Sequence, residues 1–583
     1  MILNQINGPQ DLKKLNLEEL NQVSQEIRDV LIKKLQVTGG HVGPNLGVVE
    51  LTTALHYVFD SPKDKIVYDI SHQCYTHKIL TGRKEAFMNP EKYGSVTGFT
   101  STEESEHDVF TIGHTSTSVS LATGLAKARN LAQGKESIIA LIGDGSLSGG
   151  EAFEGLNTAG ALDGNLIIIV NDNDQSIAEN HGGLYTNLKE LRESHGQCEN
   201  NLFKALGLDY VFLNDGHDIE KLVQVLKELK ETEKPTVLHV VTTKGKGYSF
   251  AEINREAFHY SGPFEFETGK SKWDFSGPNY QSETAKYLLK KMESDPLVAH
   301  ITPGTPVLGG FTKENRIKAK DQFIDVGIAE AQAIAMAAGM ARNKAKPVVA
   351  VSSSFIQRTY DQLSQDLCLD SNPAVILVGW ASTSGSSDKT HLGLFDIPLL
   401  SSIPNLVYLA PTCKEEYFAM LDWAIEQTAH PVAIRIPSEY SESGIEDKTN
   451  YGQINHFDCV KQGKDVAILG LGNFFKLAQD VVDKLEEQGI SATLINPKYI
   501  TGLDEAMLEK LKESHNLVIT LEDGMVEGGF GEKIARFYGP SDMKVKNYGI
   551  KKGFPDRYDP KELLKENGIS VEQIVAFVQS ING

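Results

Sequence analysis

The 583 residues exceed the usual length of one domain several times over, and 40% of them are hydrophobic, so we expect several globular domains. The net charge of −21 comes from acidic residues spread along the chain, which argues against nucleic acid or an anionic membrane as a partner. The cysteines form no CxxC pair, and no apolar run approaches the length of a membrane span. We therefore expect a cytoplasmic protein with free thiols.

Short β-branched runs alternate with amphipathic helical stretches along the chain. The runs SIIALIG at 137–143 and NLIIIV at 165–170 are continuously apolar, which is typical of strands covered on both faces. The pattern predicts an α/β fold with mainly parallel sheets flanked by helices. Turn-rich or polar stretches at 261–280 and 438–463 indicate connections between domains. The predicted domains are 1–275, 276–440 and 441–583.

Asp144 and Asn173 come close behind these two runs. If the runs are neighbouring strands, both side chains lie at the carboxyl edge of one parallel sheet, where ligands bind. Their oxygens, with the backbone carbonyl of Gln175, suit Mg²⁺, which commonly bridges to phosphate groups. Gly143 and Gly145 permit the close backbone approach that a phosphate requires. GDG on its own is also common in ordinary αβ turns.

Two further turns are informative. Ser148 to Glu151 has the pattern of a capping box, which predicts that a helix begins there and directs free N–H groups toward an anion. ILGLGN at 468–473 begins a strand-to-helix turn without the GxGxxG fingerprint, which disfavours a nicotinamide enzyme.

GDG followed by NDND resembles the thiamin-diphosphate motif, and longer segments extend the resemblance over nearly the whole chain. These segments are HVGPNLG from His41, GHTSTSVSLATGLAKAR from Gly113, DVGIAEAQAIAMAAG from Asp325, SSSFIQRTYDQL from Ser352 and DKTHLGLFD from Asp388. In this order they resemble the 1-deoxy-D-xylulose-5-phosphate synthases, which are relatives of transketolase. The resemblance implies a three-domain transketolase-like architecture, with a diphosphate-binding, a pyrimidine-binding and a C-terminal domain. It also implies a homodimer that uses thiamin diphosphate and Mg²⁺.

The family decarboxylates pyruvate and adds the two-carbon unit to D-glyceraldehyde 3-phosphate, so the resemblance implies this reaction. Transketolase-like transfer from a ketose phosphate is an alternative enzyme, and a cofactor-binding regulatory protein without turnover is a non-enzyme alternative. The presence of Asp144, Asn173 and Glu330 speaks against the second alternative.

The resemblance assigns a set of cofactor contacts. Glu330 matches the glutamate that engages the aminopyrimidine ring, and Phe355 matches the aromatic residue that packs on it. Without the resemblance, Glu330 would be interpreted as a surface residue at a helix start and Phe355 as a core residue. The full set of expected cofactor residues is His72, His114, Ser116, Thr117, Gly143, Asp144, Gly145, Ser146, Asn173, Glu330 and Phe355. The expected metal ligands are Asp144, Asn173 and Gln175.

The GHTSTS segment, which contains His114, Ser116 and Thr117, could instead be only a helix N-cap. Four histidines occupy family active-site positions and are the expected proton donors near neutral pH, although each could be structural. They are His41, His72, His259 and His391, and the resemblance makes them catalytic together with Glu330.

The acceptor side of the expected site departs from the family. Arg358 and Arg435 match arginines that contact the acceptor, where planar donor forks suit a phosphate, although either could form a surface ion pair. The family's Asp-Arg-Ala-Gly becomes GWAS, with Trp380 at the position of the arginine. A family tyrosine becomes Ser352, and Ser387 stands where the family has an aspartate, with Asp388 one position later. These changes add an alternative hypothesis, a diverged synthase whose acceptor is another aldehyde or sugar phosphate.

Overall fold

A computed structural model describes residues 1–274 and 277–582 of the chain. The chain divides into two compact units, one of Met1–Gly277 with Val326–Ala329, and one of Pro278–Asp325 with Glu330–Gly583. The predicted boundary between residues 275 and 276 and the predicted end at 583 lie outside the described residues. The boundary at 440 stays a prediction. Among the described residues, no helix combines the length and the apolar character needed to cross a membrane.

The first unit is built on a parallel five-stranded sheet. Its strands are β1 (Lys65–Tyr68), β2 (Ile138–Gly143), β3 (Leu166–Asp172), β4 (Asp209–Leu213) and β5 (Pro235–Val241), in the order β1-β2-β3-β5-β4. Ile142 of β2 pairs in parallel with Val170 of β3. The prediction that the runs containing these residues form neighbouring strands is confirmed.

Both faces of this sheet are covered by apolar side chains. Ile139 and Ile167 belong to one hydrophobic cluster, whereas Ala140 and Ile168 belong to another. Because successive side chains of a strand point to opposite faces, burial on both sides requires a continuous apolar run. The helices of this unit are α1 (Pro9–Leu12), α2 (Leu17–Thr38), α3 (Val42–Leu46), α4 (Val49–Val58), α5 (Tyr75–Lys78), α6 (Glu85–Met88), α7 (Ser118–Leu131), α8 (Gly150–Ala159), α9 (Gly183–Glu193), α10 (Leu202–Ala205), α11 (Ile219–Lys230) and α12 (Ser249–Ile253).

The second unit contains two sheets. The strands of the first are β6 (Val298–Thr302), β7 (Phe323–Asp325), β8 (Lys346–Ser352), β9 (Val375–Gly379), β10 (Val407–Leu409) and β11 (Val432–Arg435), all parallel, in the order β10-β11-β9-β8-β6-β7. The strands of the second are β12 (Asp458–Lys461), β13 (Asp465–Gly470), β14 (Ala492–Asn496), β15 (His515–Met525) and β16 (Lys544–Ile550), in the order β12-β14-β13-β15-β16. Only the edge strand β12 of this described sheet runs antiparallel to its neighbour.

Helices surround these sheets as well. They are α13 (Tyr280–Ser294), α14 (Lys313–Ala319), α15 (Glu330–Arg342), α16 (Asp396–Ser401), α17 (Lys414–Glu426), α18 (Phe475–Glu487), α19 (Glu505–Leu511), α20 (Phe530–Tyr538), α21 (Pro560–Glu566) and α22 (Val571–Asn582). The predicted α/β fold with mainly parallel sheets is confirmed.

His300 makes the stability of the second unit sensitive to acid. The side chain is fully buried in β6 and stacks on Phe311, with ring centroids 4.4 Å apart. Burial lowers the pKa of His300 to about 3, whereas a histidine in an unfolded chain titrates at roughly 6.5. Between these values the unfolded chain binds more protons, so stability is lost as pH falls.

We expect the titration of His300 to lower the free energy of unfolding by about 2 kcal/mol when the pH falls from 7 to 5. The His300→Phe variant keeps an aromatic ring on Phe311 and removes the titration. Urea unfolding of both proteins at the two pH values measures the difference. An equal loss of stability in wild type and variant would contradict the assignment.

Candidate active site

Asp144 is the first residue after β2, and it is 2% exposed. Its Oδ2 accepts hydrogen bonds from the backbone N–H of Gln175 at 3.0 Å and from the side-chain amide of Asn180 at 2.9 Å. Burial, and after it the charge of Asp172, raises the pKa of Asp144 to about 7. The ionised carboxylate is therefore one that a bound cation would stabilise.

Several buried oxygens of the same segment have no hydrogen-bond partner among the described residues: Asn173 Oδ1, Asn180 Oδ1 and Ser176 Oγ. Unpaired buried oxygens are costly, so this donor set fits a divalent cation. The described residues hold no cluster of three or more His, Cys, Asp or Glu side chains suited to a metal. One carboxylate with neutral oxygens suits Mg²⁺, which retains water and phosphate ligands.

The two glycines of the GDG turn differ in what surrounds them. A Cβ at Gly145 would lie 2.8 Å from the hydroxyl of Ser176, so this position excludes a side chain. A Cβ at Gly143 would meet no atom within 4 Å. The folded chain itself therefore requires glycine at Gly145, whereas the space beside Gly143 is open.

The predicted capping box at Ser148 is wrong. Helix α8 begins at Gly150, its N-cap is Gly149, and no side chain caps it. The hydroxyl of Ser148 donates to the carbonyl of Gly145 at 2.9 Å and accepts from the N–H of Ile328 at 2.8 Å. These tertiary partners take the hydroxyl away from the helix end, so Ser148 stabilises the turn instead.

Asp69, which follows β1, holds the segment that contains His114. Its carboxylate accepts from the N–H of Ser116 at 2.8 Å and of Ser118 at 3.0 Å. The Ser116 hydroxyl donates to the carbonyl of Ser146 at 2.8 Å, which brings two expected cofactor residues together. Thr117 occupies the N-cap of α7, but its side chain makes no cap and its buried hydroxyl has no partner in the described parts of the chain. The N-cap alternative therefore does not account for this hydroxyl.

The first unit brings three of the four predicted histidines together. The ring centroids of His41 and His72 are 4.9 Å apart, those of His72 and His259 are 5.2 Å apart, and those of His41 and His259 are 5.8 Å apart. Burial, followed by the neighbouring cation Lys244 and the other two rings, lowers the pKa of His259 well below its usual value. The clustered rings are separated by up to 218 residues of sequence, so the clustering supports a shared site over three separate structural roles.

Lys244, which the sequence reasoning missed, lies at the centre of this region. Its Nζ donates to the carbonyl of Ser176 at 2.5 Å and lies 3.1 Å from His259 Nδ1. Burial lowers the pKa of Lys244 to about 7, and the charge of Asp144 opposes this. The KGKG segment after β5 could have indicated it, because it stands at the same carboxyl edge as the GDG turn.

We expect Lys244→Met to weaken binding of thiamin diphosphate by about 10- to 100-fold, the range for losing a hydrogen bond to a charged group. Calorimetric titration of the cofactor with Mg²⁺ measures this. Lys246→Met is the matched control, because Lys246 is an exposed lysine two residues away. Equal affinities for thiamin diphosphate in the two variants would contradict the assignment of Lys244 to the cofactor site.

In the second unit, Glu330 is the first residue of α15 and is 4% exposed. Burial raises its pKa, and the guanidinium of Arg358, 3.7 Å away, opposes this. The interpretation as a solvated surface residue at a helix start is therefore excluded. A buried carboxyl group beside one cation is suited to taking up and releasing a proton.

Phe355 and His391 meet edge to face, with ring centroids 5.5 Å apart. Asp388 reaches His391 through Thr390, whose hydroxyl donates to Asp388 at 2.6 Å and lies 2.8 Å from His391 Nδ1. Burial lowers the pKa of His391 to about 4, so the ring is neutral at pH 7. Ser352 ends β8, and its hydroxyl accepts from the N–H of Phe355 at 3.3 Å.

Arg435 does not have the surroundings expected of an acceptor contact. It is 3% exposed, its Nε donates to Asp396 at 2.7 Å, and its Nη1 donates to Asp523. Two carboxylates therefore pair with Arg435, while its buried Nη2 has no hydrogen-bond partner among the described residues. This geometry favours a structural role for Arg435 over the predicted acceptor contact, and it makes Arg358 the stronger candidate acceptor cation.

Trp380 and Ser387 lie in the segment after β9. Trp380 is 43% exposed and has a φ of 52°, a strained conformation for a bulky residue. Ser387 accepts from the N–H of Arg557 through its backbone carbonyl at 2.6 Å, so the segment is tied to the C-terminal part of the unit.

Family models match successive parts of the chain. The model described as 1-deoxy-D-xylulose-5-phosphate synthase matches residues 3–199 and 194–242. The pyrimidine binding domain of transketolase matches 278–441, and the transketolase C-terminal domain matches 456–574.

Curated relatives match the chain over its full length. Proteins named 1-deoxy-D-xylulose-5-phosphate synthase from Brevibacillus brevis and Carboxydothermus hydrogenoformans are 37% and 38% identical to it. These alignments cover 100% and 98% of this chain and 98% of each relative. The chain belongs to the 1-deoxy-D-xylulose-5-phosphate synthase family. A third synthase of this name, from Natranaerobius thermophilus, is 39% identical over 91% of this chain and 90% of its own.

Membership of the 1-deoxy-D-xylulose-5-phosphate synthase family confirms several predictions. The family, the three-domain transketolase-like architecture and the class of enzyme, a thiamin-diphosphate-dependent transferase, are as the sequence predicted. The match to a pyrimidine-binding domain implies thiamin diphosphate as the cofactor.

Proposed function

We propose that the protein condenses pyruvate with D-glyceraldehyde 3-phosphate, with loss of CO₂, as a 1-deoxy-D-xylulose-5-phosphate synthase. The single observation that carries this proposal is the similarity to synthases of that name over 91–100% of the chain. The reaction needs a cofactor and metal site, proton donors and a place for the acceptor. The chain offers candidate residues for each.

Thiamin diphosphate, when bound, supplies the carbon that attacks pyruvate and accepts the electrons released with CO₂. In our proposal, Mg²⁺ is held by side-chain oxygens of Asp144 and Asn173 and by the carbonyl of Gln175. The raised pKa of Asp144 and the unpaired Oδ1 of Asn173 support this choice. The proposed contacts of the cofactor in the first unit are His72, His114, Ser116, Thr117, Gly143, Gly145, Ser146 and Asn173.

Glu330 is the proposed proton carrier at the pyrimidine ring. Its burial favours the neutral carboxyl group, and Arg358 favours the ionised one. A carboxyl group under these opposing influences is suited to donating a proton and recovering it. Phe355 is the proposed apolar surface against which the ring packs.

The neutral rings of His259 and His391 are proposed to donate or accept protons at the substrate oxygens, together with His41 and His72. Neutral imidazole can do either, depending on which nitrogen carries the proton. Asp388 is proposed to act on the acceptor through Thr390 and His391, because its carboxylate already accepts from Thr390. Ser352 is the proposed hydroxyl near the acceptor.

A second candidate acceptor is an aldehyde without a phosphate group. Arg435 forms ion pairs with two buried carboxylates. Arg358 is therefore the remaining candidate of the two arginines predicted to contact the acceptor. Trp380 adds exposed apolar surface after β9, which favours an uncharged substituent over a phosphate. The synthase chemistry is the same for both acceptors.

We also propose a homodimer, which rests on the family resemblance. Light scattering of the purified protein with thiamin diphosphate and Mg²⁺ tests it, and a mass of one chain would contradict it. The cytoplasmic location stays a prediction.

The deciding experiment incubates the protein with thiamin diphosphate, Mg²⁺ and pyruvate, and offers D-glyceraldehyde 3-phosphate, D-glyceraldehyde or propanal as acceptor. CO₂ release and product mass are followed together. A parallel reaction replaces pyruvate with a ketose phosphate. We expect CO₂ release coupled to formation of 1-deoxy-D-xylulose 5-phosphate.

Each other outcome identifies an alternative. Turnover only with an uncharged aldehyde would establish the second acceptor class. Ketose turnover without CO₂ release would indicate a transketolase-like transferase. Cofactor binding without any turnover would support the regulatory alternative and contradict the proposed function.

A further inference from the structure

A buried group of charged and polar side chains in the second unit includes Arg435 and four residues to which no role has been assigned above. We call Ser353, Asp396, Tyr408, Arg435 and Asp523 the Arg435 cluster. Asp396, Tyr408 and Asp523 are fully buried, and Ser353 and Arg435 are 2% and 3% exposed. They come from separate elements, because Ser353 follows β8, Asp396 begins α16, Tyr408 lies in β10 and Asp523 lies in β15.

The cluster has two arms that meet at the guanidinium. On one side, Nε of Arg435 donates to Oδ2 of Asp396 at 2.7 Å, and the Tyr408 hydroxyl donates to the same oxygen at 2.5 Å. Oδ1 of Asp396 then accepts from the hydroxyl of Ser353 at 2.8 Å. On the other side, Nη1 of Arg435 donates to Asp523, which also accepts from the side-chain amide of Asn473 at 2.7 Å.

The Asp396 arm ends on the turn that carries Phe355. Ser353 lies between Ser352 and Phe355, and its N–H donates to the carbonyl of Gly379 at 2.8 Å. Its side-chain bond to Asp396 therefore fixes the same residue from a second direction. The Asp523 arm, by contrast, runs from β15 to Asn473 in the turn after β13, and Asn473 accepts from the N–H of Ser438 at 3.0 Å.

The chemistry of the cluster requires arginine. A planar guanidinium can donate to two carboxylates at once in fixed directions, whereas an ammonium group is a single point of charge. Breaking a buried pair leaves a carboxylate uncompensated, so Asp396 would reorganise if Arg435 were lost. Any reorganisation of Asp396 moves the acceptor of the Ser353 hydroxyl.

We propose that Arg435 is a positioning residue that acts through Asp396 and Ser353 to hold the turn of Ser352 to Phe355 in the shape that binds the pyrimidine ring of the cofactor. The inference rests on the proposed function, because it takes Phe355 as the ring-packing residue. The inference assigns a different role to each of the two arms. The Asp396 arm sets cofactor affinity, and the Asp523 arm contributes to stability alone.

The matched pair Asp396→Asn and Asp523→Asn tests this separation, since both residues are fully buried and both bond the same guanidinium. Cofactor affinity is measured by calorimetric titration of thiamin diphosphate with Mg²⁺ and without substrate, and stability by Tm. We expect both variants to lower Tm. Asp396→Asn weakens cofactor binding by about tenfold, whereas Asp523→Asn stays within about twofold of wild type. Equal affinities in the two variants overturn the inference.

Ser353→Ala keeps both ion pairs, so it remains informative if Asp396→Asn does not fold. We expect about tenfold weaker cofactor binding with little change in Tm. Arg435→Lys and the double variant Arg435→Lys/Ser353→Ala complete a cycle. If Arg435 acts through Ser353, the cofactor affinity of the double variant is no lower than that of the single variant with the lower affinity. Additive losses overturn the inference.

Failure of the proposed function gives a different result. A wild-type protein that does not bind thiamin diphosphate overturns the proposed function and this inference with it. A wild-type protein that binds the cofactor, together with a Ser353→Ala variant that binds it equally well, overturns only the inference.

Discussion

Glu330→Gln is expected to lower kcat for pyruvate turnover by about 10²–10⁴-fold, the usual contribution of a positioned proton carrier. The variant keeps the size of the side chain and removes its proton exchange. Steady-state CO₂ release at saturating pyruvate and cofactor measures the effect. Wild-type turnover in this variant would remove Glu330 from the mechanism.

The same substitution should raise stability, which separates it from a folding defect. Because the folded-state pKa of Glu330 is raised, its carboxylate destabilises the folded protein as pH rises above the unfolded value, roughly 4.3. Glu330→Gln should therefore raise Tm at pH 7, and the gain should vanish near pH 4. Glu416→Gln is the matched control, because Glu416 is a partly buried glutamate whose pKa burial also raises, but it bonds Thr412 and Asn496. Its kcat should stay at the wild-type value.

Asp144→Asn is expected to remove the dependence of cofactor binding on Mg²⁺ and to weaken binding by at least about 100-fold. Changing a residue that supports a metal ligand lowers metal affinity by up to about 100-fold. Because Asp144 is a proposed ligand itself, its loss should cost at least as much. Titration of thiamin diphosphate with and without Mg²⁺ measures it. Asp174→Asn serves as control, because Asp174 is a neighbouring carboxylate that is 61% exposed and paired with Arg192.

The protein without ligands should respond in the opposite direction. Burial and Asp172 raise the pKa of Asp144, so its carboxylate is costly at pH 7 when no cation is bound. Asp144→Asn should therefore raise the Tm of the cofactor-free protein and abolish the further rise caused by Mg²⁺ with thiamin diphosphate. A variant that keeps the Mg²⁺-dependent rise would contradict the metal assignment.

The sequence was sufficient for the strands that carry the proposed metal and diphosphate residues because the signals of these strands are local. Continuous apolar runs predicted β2 and β3, and the carboxyl-edge rule placed Asp144 and the segment after β3 at their ends. The same rule could have found Asp69 after β1 and Lys244 after β5, since each lies just beyond a strand. They were missed because a single carboxylate or lysine after a strand carries no motif.

Local sequence patterns did not predict which residues the polar side chains bond in the folded protein. Ser148 has the spacing of a capping residue, yet its hydroxyl bonds Gly145 and Ile328. Arg435 has the chemistry of a phosphate anchor, yet the chain folds Asp396 and Asp523 against it. In both cases the polar group bonds residues distant in sequence, Ile328 for Ser148 and the two aspartates for Arg435, because a buried polar atom without a partner is costly.

The sequence by itself determined the fold class and the family. These follow from residue periodicity and from motifs whose members are close together in the chain. Only the tertiary structure decided that His41, His72 and His259 share one cluster, that Glu330 is buried beside Arg358, and that Arg435 pairs with two buried carboxylates. Such contacts join residues that are distant in sequence, and packing of the folded chain selects them.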